Sequence, residues 1–459
     1  MWLKGEEEIT MNSHVEPVDE RLPLRQLIPF GLQHVLVMAA SPITAVFVIS
    51  KTLNLSADLT INLISATFLV CGLGTLLQSF GPWKFGARLP FIMVPGGAPI
   101  AIFLTIATQT DIQTAVGAVI ITSIVYFLVL PVFARCLKYF PKIVIGTMLM
   151  LVAINLVKIY GGIITGQPGS PQYGAPVNIL LALSTIGFTL LFARILSGMA
   201  SQLSVLFGLL AGAAVGAILG VMHFGDVLPG AVVSLPTVLP FGMPRFDLVA
   251  AVPMIVFSVI SMAEATGQTV AIADVVGKEI DQREDVPKTI RGDALMSLIG
   301  GIFGTSLIIT SGENIGVVKA TGIKSRYVTA VGGAILIVLA LFAPLGRLIY
   351  AIPGPVVGGT AMIVFCIIAV MGVDMLRKVD LSDHGNVFTL AAGIGMGLLP
   401  ILVPGVYSHF PRAVQMVLGN GLAAGTIATV LLNILFHHLG KQAETEVPAG
   451  AVAAVRNGE

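Results

Sequence analysis

Five polar side chains stand inside or at the edge of runs that are otherwise apolar: His34, Glu264, Asp293, Glu313 and Asn314. An ionisable group at membrane depth costs at least about 2.5–3.5 kcal/mol, so each needs a partner, water or a task. His34 lies in Gly31-Leu32-Gln33-His34-Val35, and Glu264 in Met262-Ala263-Glu264-Ala265-Thr266-Gly267-Gln268. Glu313 and Asn314 lie in Thr310-Ser311-Gly312-Glu313-Asn314-Ile315-Gly316. A carboxylate in such a run is protonated, paired or turned to water. Glu264 and Glu313 are therefore candidates to hold a polar solute and to carry a proton. His34 has two readings: a donor to a backbone carbonyl that locks two helices, or a site residue. Asp293 is expected to open a membrane segment beside Lys288 and Arg291, where a helix cap or an interfacial ion pair explains it as well as a functional role does. Asp274 is expected in water at a helix end.

The elements that must position these groups follow from composition. Of 459 residues, 56% are hydrophobic and 11% charged, with mean hydropathy +0.95. Soluble domains carry about 25% charged residues, so too little polar surface exists to coat a water-soluble globule. The chain reads as an all-α, polytopic membrane protein. Lys+Arg 25 against Asp+Glu 24 leaves +1, and no basic cluster interleaved with aromatics points to nucleic acid. Cys71, Cys136 and Cys366 are far apart and read as small core hydrophobes rather than metal ligands or a disulfide framework. No cleavable leader is expected, because the first apolar run follows an acidic stretch ending near Arg25; Met11 is as good a start as Met1.

A helix crossing a ~30 Å hydrocarbon core needs about 20 mostly apolar residues. Such runs begin near Ile28, Leu59, Phe91, Ile112, Ile143, Val177 and Leu203, and again near Leu248, Ala294, Ile308, Thr329, Ile352, Val387 and Ala413. Fourteen segments with both termini cytoplasmic leave only Lys51, Lys158, Arg245, Arg347 and Arg412 outside, which is the asymmetry the positive-inside rule demands. Segments three and ten are broken, by Val94-Pro95-Gly96-Gly97-Ala98-Pro99 and by Ser311-Gly312-Glu313-Asn314-Ile315-Gly316. Three and ten differ by seven, as do one and eight, which hold His34 and Glu264. Two inverted seven-segment repeats produce that spacing, and paired interruptions mark a midplane site. Irregular backbone at that depth lines a cavity or is buried in protein, and its freed N–H and C=O groups can meet a ligand. Two carboxylates, a carboxamide and main-chain groups suit a planar, neutral, multiply hydrogen-bonding solute, moved by a secondary transporter.

Glu313-Asn314-Ile315-Gly316-Val317-Val318-Lys319-Ala320-Thr321-Gly322 resembles the signature of the nucleobase–ascorbate transporter family, also called nucleobase:cation symporter-2. Gln33-His34, Glu264-Ala265-Thr266-Gly267 and Arg291-Gly292-Asp293 stand in that family's order and spacing. The resemblance implies fourteen segments in two inverted repeats, with short strands in segments three and ten. It implies a core domain over 27–137 and 248–346, and a gate domain over 138–224 and 347–440. Around these lie a cytoplasmic tail at 1–26, an external loop at 225–247 and a cytoplasmic tail at 441–459. It also implies a homodimer in the cytoplasmic membrane, elevator-like alternating access and no resident cofactor, with a proton as the coupling ion and sodium as the alternative.

Residue by residue, the resemblance makes Glu264 the acceptor of base ring N–H groups, with Glu313 and Gly312 also on the base. Main-chain groups around Gly97 and Ala98 face it, and Gln268 lines the pocket. His34, Asn314 and Asp293 support the site and its coupling. Glu313 after Gly312 resembles the uracil-transporting branch, whereas Glu264-Ala265-Thr266-Gly267 resembles the xanthine and urate branches. Gln268 replaces both the histidine of the first and the aspartate of the second. Small residues at Gly96-Gly97-Ala98 suggest a roomier pocket and a purine such as xanthine, urate or guanine. The alternatives are a uracil-selective symporter, and an anion transporter of the sulfate type on the same architecture. An enzyme is not expected, as no His-Glu-x-x-His or Gly-x-Ser-x-Gly is present within the spans.

Overall fold

The computed structural model describes residues 16–133, 139–166, 173–222 and 231–439. The alternative starts Met1 and Met11, Cys136, most of the N-terminal tail and the whole C-terminal tail lie outside the described residues. The first half runs α1 (Leu24–Met38), α2 (Ala40–Thr52), α3 (Ala57–Phe80), β1 (Met93–Pro95), α4 (Gly97–Gln109), α5 (Ile112–Val129), α6 (Lys142–Thr165), α7 (Pro176–Ile195) and α8 (Ser204–Ile218). The second half runs α9 (Leu248–Val276), α10 (Gln282–Ile302), β2 (Ile308–Thr310), α11 (Glu313–Thr321), α12 (Arg326–Leu341), α13 (Ala343–Tyr350), α14 (Gly354–Leu376), α15 (His384–Leu402), α16 (Arg412–Leu418) and α17 (Gly421–His437). Among the described residues eight helices are long and apolar enough to cross a membrane, counting α1 with α2 as one, and nine if the bent pair α16–α17 is one span. The chain is a multi-pass helical membrane protein.

Local chemistry sets where these helices begin. Asp247 Oδ1 accepts from Val249 N at 2.9 Å and Ala250 N at 3.1 Å, capping α9. Asp111 caps α5 by accepting from Thr114 N at 2.8 Å. Such caps satisfy N–H groups that have no partner inside the helix. Within the spans, hydroxyls fold back on their own helix: Thr67 donates to Leu63 O, and Thr147 to Ile143 O, each at 2.7 Å. Those bonds let polar residues occupy buried faces without an unsatisfied donor.

Helices approach closely where both carry glycine. A Cβ on Gly72 would stand 2.7 Å from Gly333 O, and one on Gly333 would stand 2.8 Å from Gly72 O, so α3 and α12 touch backbone to backbone. Lipid tails are as apolar as leucine, so this van der Waals contact is a main source of helix association in a membrane. The pairings form a pattern. α3 lies along α12 as α5 lies along α10, and α1 meets α12 as α9 meets α5. α7 packs on α8 as α15 packs on α17, while α6 packs on α14. The one sheet among the described residues joins β1 and β2 antiparallel, in the register Met93–Thr310, Val94–Ile309, Pro95–Ile308.

One expectation is corrected. Asp293 does not open its segment: α10 starts at Gln282, about three turns earlier, with Asp281 as its cap. Its opening turns are charged, Arg283-Glu284-Asp285, so a search for apolar runs passes over them. Asp274, as expected, is exposed near the end of α9.

Candidate site between two half-helices

The two short strands meet in the interior, and α4 and α11 start just beyond them. Buried polar groups hold the strands in place. Thr75 Oγ1 accepts from Met93 N at 3.1 Å. Ser297 Oγ accepts from Ile308 N at 3.1 Å and donates to Ile308 O at 3.0 Å. Asp293, 1% exposed, accepts through Oδ1 from Thr310 N at 3.1 Å and from Gln78 Nε2 at 3.2 Å, and through Oδ2 from the Thr310 hydroxyl at 3.2 Å. No ion pair to Lys288 or Arg291 forms; Lys288 pairs with Asp285 instead. Asp293 therefore fixes the end of β2 from which the Glu313 turn departs.

His34 and Asn314 are brought together. The His34 Nδ1–H donates to Asn314 Oδ1 at 2.6 Å, and Asn314 Nδ2 donates to Pro90 O, with both side chains buried. One carboxamide thus ties α1, α11 and the stretch before β1 with both its donor and its acceptor. The histidine partner is a side chain on another helix, so its locking function and its place beside the site are one arrangement.

The carboxylates lie on the accessible side of this scaffold. Glu313 is exposed at the first turn of α11, and Glu264 is half-buried on α9, one turn before Gln268 on the same face. A Cβ on Gly312 would stand 3.1 Å from Gln268 Nε2, which joins the Glu264 face to the start of α11. Gly267 and Gly316, each one turn on from a carboxylate in its own helix, have no atom within 4 Å of where a Cβ would stand. Two carboxylate acceptors, one of them at a helix N-terminus that favours negative charge, suit a ligand presenting N–H groups.

Gly97 is a second correction. A Cβ there would meet Phe365 Cε1 at 2.7 Å and Ile368 Cδ1 at 2.9 Å, so α14 fills the room that a missing side chain leaves. Phe365 in turn stacks on Tyr160 of α6, with centroids 5.2 Å apart and planes 8° apart. The roomier pocket inferred from the small residues goes, at Gly97, to a neighbouring helix. Ala98 is buried in the same turn. The reading from sequence also missed Gln78, Thr75 and Ser297. Gln78 had a signal, a carboxamide inside an apolar run; the hydroxyls had none beyond their type. Among the described residues no three His, Cys, Asp or Glu side chains converge as a metal ion would require.

Two half-helices starting from a shared pair of strands inside a multi-pass helical membrane protein define the fold. Its architecture is similar to SLC26A9, with TM-score 0.61 and 14% identity over 90% of this chain and 66% of that longer one. It is also similar to the transmembrane domain of a cyanobacterium bicarbonate transporter, BicA, with TM-score 0.57 and 16% identity over 91% of this chain and 99% of that one. At such identities the likeness is one of fold.

The sequence gives the family. Residues 25–406 match the xanthine/uracil permease model, described as a permease family, and the chain belongs to that family. It is a transporter and not an enzyme. Uric acid permease PucK of Bacillus subtilis is 29% identical over 90% of this chain and 95% of its own length. A xanthine permease of Bacillus subtilis is 29% identical over 91% and 95%, and uric acid transporter UacT of Escherichia coli 29% over 92% and 88%.

Proposed function

We propose that this protein carries a nucleobase, a purine such as xanthine or urate, across the cytoplasmic membrane together with a proton. The observation that carries the reading is the pair of carboxylates, half-buried Glu264 and exposed Glu313, on two helices that meet where Gln268 approaches Gly312. Each accepts from ring N–H groups, and the N-terminal turns of α4 and α11 supply main-chain donors for base carbonyls. The relatives named above support a purine, since their names specify uric acid and xanthine. A site for simple anions would place a cation where Glu264 and Glu313 stand, which argues against the sulfate-type alternative.

The pairing pattern supports two inverted seven-segment repeats. Exchanging α1–α2 with α9, α3 with α10, β1–α4 with β2–α11, and α5 with α12 maps the α3–α12 contact onto α10–α5, α1–α12 onto α9–α5, and α2–β1 onto α9–β2. Exchanging α6 with α14, α7 with α15, and α8 with α16–α17 likewise maps α7–α8 onto α15–α17 and α7–α14 onto α15–α6. The core is then 27–137 with 248–346, and the gate 138–224 with 347–440. The core carries the base past the gate, in a homodimer with both termini cytoplasmic. Gly97 against Phe365 lies on the surface between core and gate.

Uptake of radiolabelled xanthine, urate, guanine, hypoxanthine and uracil into cells lacking their own permeases tests this. Accumulation of a purine, abolished by a protonophore, is expected. No accumulation of any base by protein shown to be in the membrane would overturn the proposal.

A further inference from the structure

A second cavity, of about 460 Å³, opens between the C-terminal end of α4 and the gate helices α6, α15, α16 and α17. It lies on the side that the Lys/Arg partition assigns to the outside, about 18 Å along α4 from Gly97. Its lining contains Lys158 and Arg412, the amides Asn155, Gln109 and Gln415, the ring of Tyr407, and no Asp or Glu.

Lys158 is the unusual member. It interrupts α6 about two turns before its end, in a stretch otherwise free of charge, and no carboxylate pairs with it among the described residues. Its ammonium donates to Ile401 O near the end of α15, which uses one of three N–H donors. Arg412 is held by Asp247 at 2.8 Å, so Lys158 supplies the unbalanced positive charge of the cavity. Gln415 Nε2 donates to Ser408 O at 3.0 Å and Phe410 O at 2.7 Å, fixing the loop that carries Tyr407, and the Tyr407 ring meets Phe410 edge-on at 5.7 Å. A lysine tying two helices needs only a carbonyl. A cavity whose described lining has donors, an aromatic ring and no carboxylate suits an electron-rich planar ligand.

We infer that this cavity is an outer binding station for the transported base, where Lys158 meets its carbonyl oxygens or an ionised ring nitrogen beside Tyr407. The inference rests on the nucleobase reading and deepens it. The outer station is rich in donors and the inner site in acceptors, so a solute must present both carbonyl and N–H edges to be captured and then carried. An oxidised purine presents both.

Uptake of radiolabelled xanthine and urate at graded external concentrations, by wild type, K158Q and K158R, tests the inference. K158Q is expected to raise the half-saturating concentration about tenfold with the maximal rate kept, as loss of a charge-assisted hydrogen bond would. K158R is expected to stay near wild type, and added salt to raise the wild-type value but not that of K158Q. An unchanged half-saturating concentration in K158Q, or a lower maximal rate alone, would make Lys158 a helix tie and overturn the inference. If K158Q fails to reach the membrane, Tyr407→Leu is read the same way, its half-saturating concentration rising if the station exists and unchanged if it does not. Normal wild-type uptake with unaltered variants would overturn this inference alone, whereas no wild-type uptake would overturn it with the nucleobase reading.

Discussion

At the scale of residues, the buried groups build the site and the accessible ones are left free to act. His34, Asn314, Asp293 and Gln78 are buried and have hydrogen-bond partners, while Glu264 is half-buried and Glu313 exposed. This division explains which residues were legible in the sequence. A carboxylate or imidazole in an apolar run stands out by its cost. Thr75 and Ser297 hold the strands with groups that are common in membrane helices, and nothing in their type marks them. His34 and Asn314 are expected to behave as one unit. Removing either leaves the other with a buried unmatched group, so H34A and N314A should each lower stability by about 1–3 kcal/mol, and the double variant by less than the sum. His34→Asn keeps a polar group and is expected to be milder. Thermal midpoints of the four detergent-solubilised proteins measure this; strict additivity would mean the 2.6 Å contact carries no coupling.

At the scale of elements, the interruptions at Pro95-Gly96-Gly97 and Ser311-Gly312 were legible because glycine and proline there cannot continue a spanning helix. The start of α10 was not, because its first turns are charged, and the filling of Gly97 was not, because Phe365 is distant in sequence. Close helix contacts depend on glycine pairs. Gly72→Leu is expected to force α3 and α12 apart, since its Cβ alone would come within 2.7 Å of a carbonyl oxygen. The expected readout is a large loss of monodisperse protein on size-exclusion chromatography. Asp111 gives a subtler case in a loop. Burial alone would raise its carboxyl, but the Thr114 backbone N–H and hydroxyl and the Arg245 guanidinium together bring it below the usual range. A carboxyl lowered by folding stabilises above its unfolded value and loses that contribution as pH falls through the folded value. Asp111→Ala should therefore cost about 1 kcal/mol at neutral pH, with wild type and variant converging below pH ~4. Unfolding midpoints across that range check both sign and window.

At the scale of the whole molecule, the proposed repeat rests on the spacing of seven between interrupted segments and on helix contacts that fall in matching pairs. In the proposed exchange, the observed pairs β1–β2 and α6–α14 each join an element to its own counterpart. The proposed cycle follows from the same division, with a core holding the base and a gate presenting Phe365 and Lys158. The proposed proton coupling belongs at this scale, because the ion would have to accompany the base across the full thickness of the membrane. Lowering the external pH at constant base concentration is expected to speed uptake, and a protonophore to prevent accumulation while leaving equilibration intact. Accumulation that survives the protonophore but needs external sodium would replace the proton with sodium and leave the site unchanged.

The central claim is that Glu264 holds the base beside the start of α11, and binding tests it without the complications of transport. Radiolabelled xanthine and urate should bind the purified wild-type protein saturably, and Glu264→Gln, folded and monodisperse, should retain no measurable binding. Equal binding by that variant, or none by the wild type, would contradict the account.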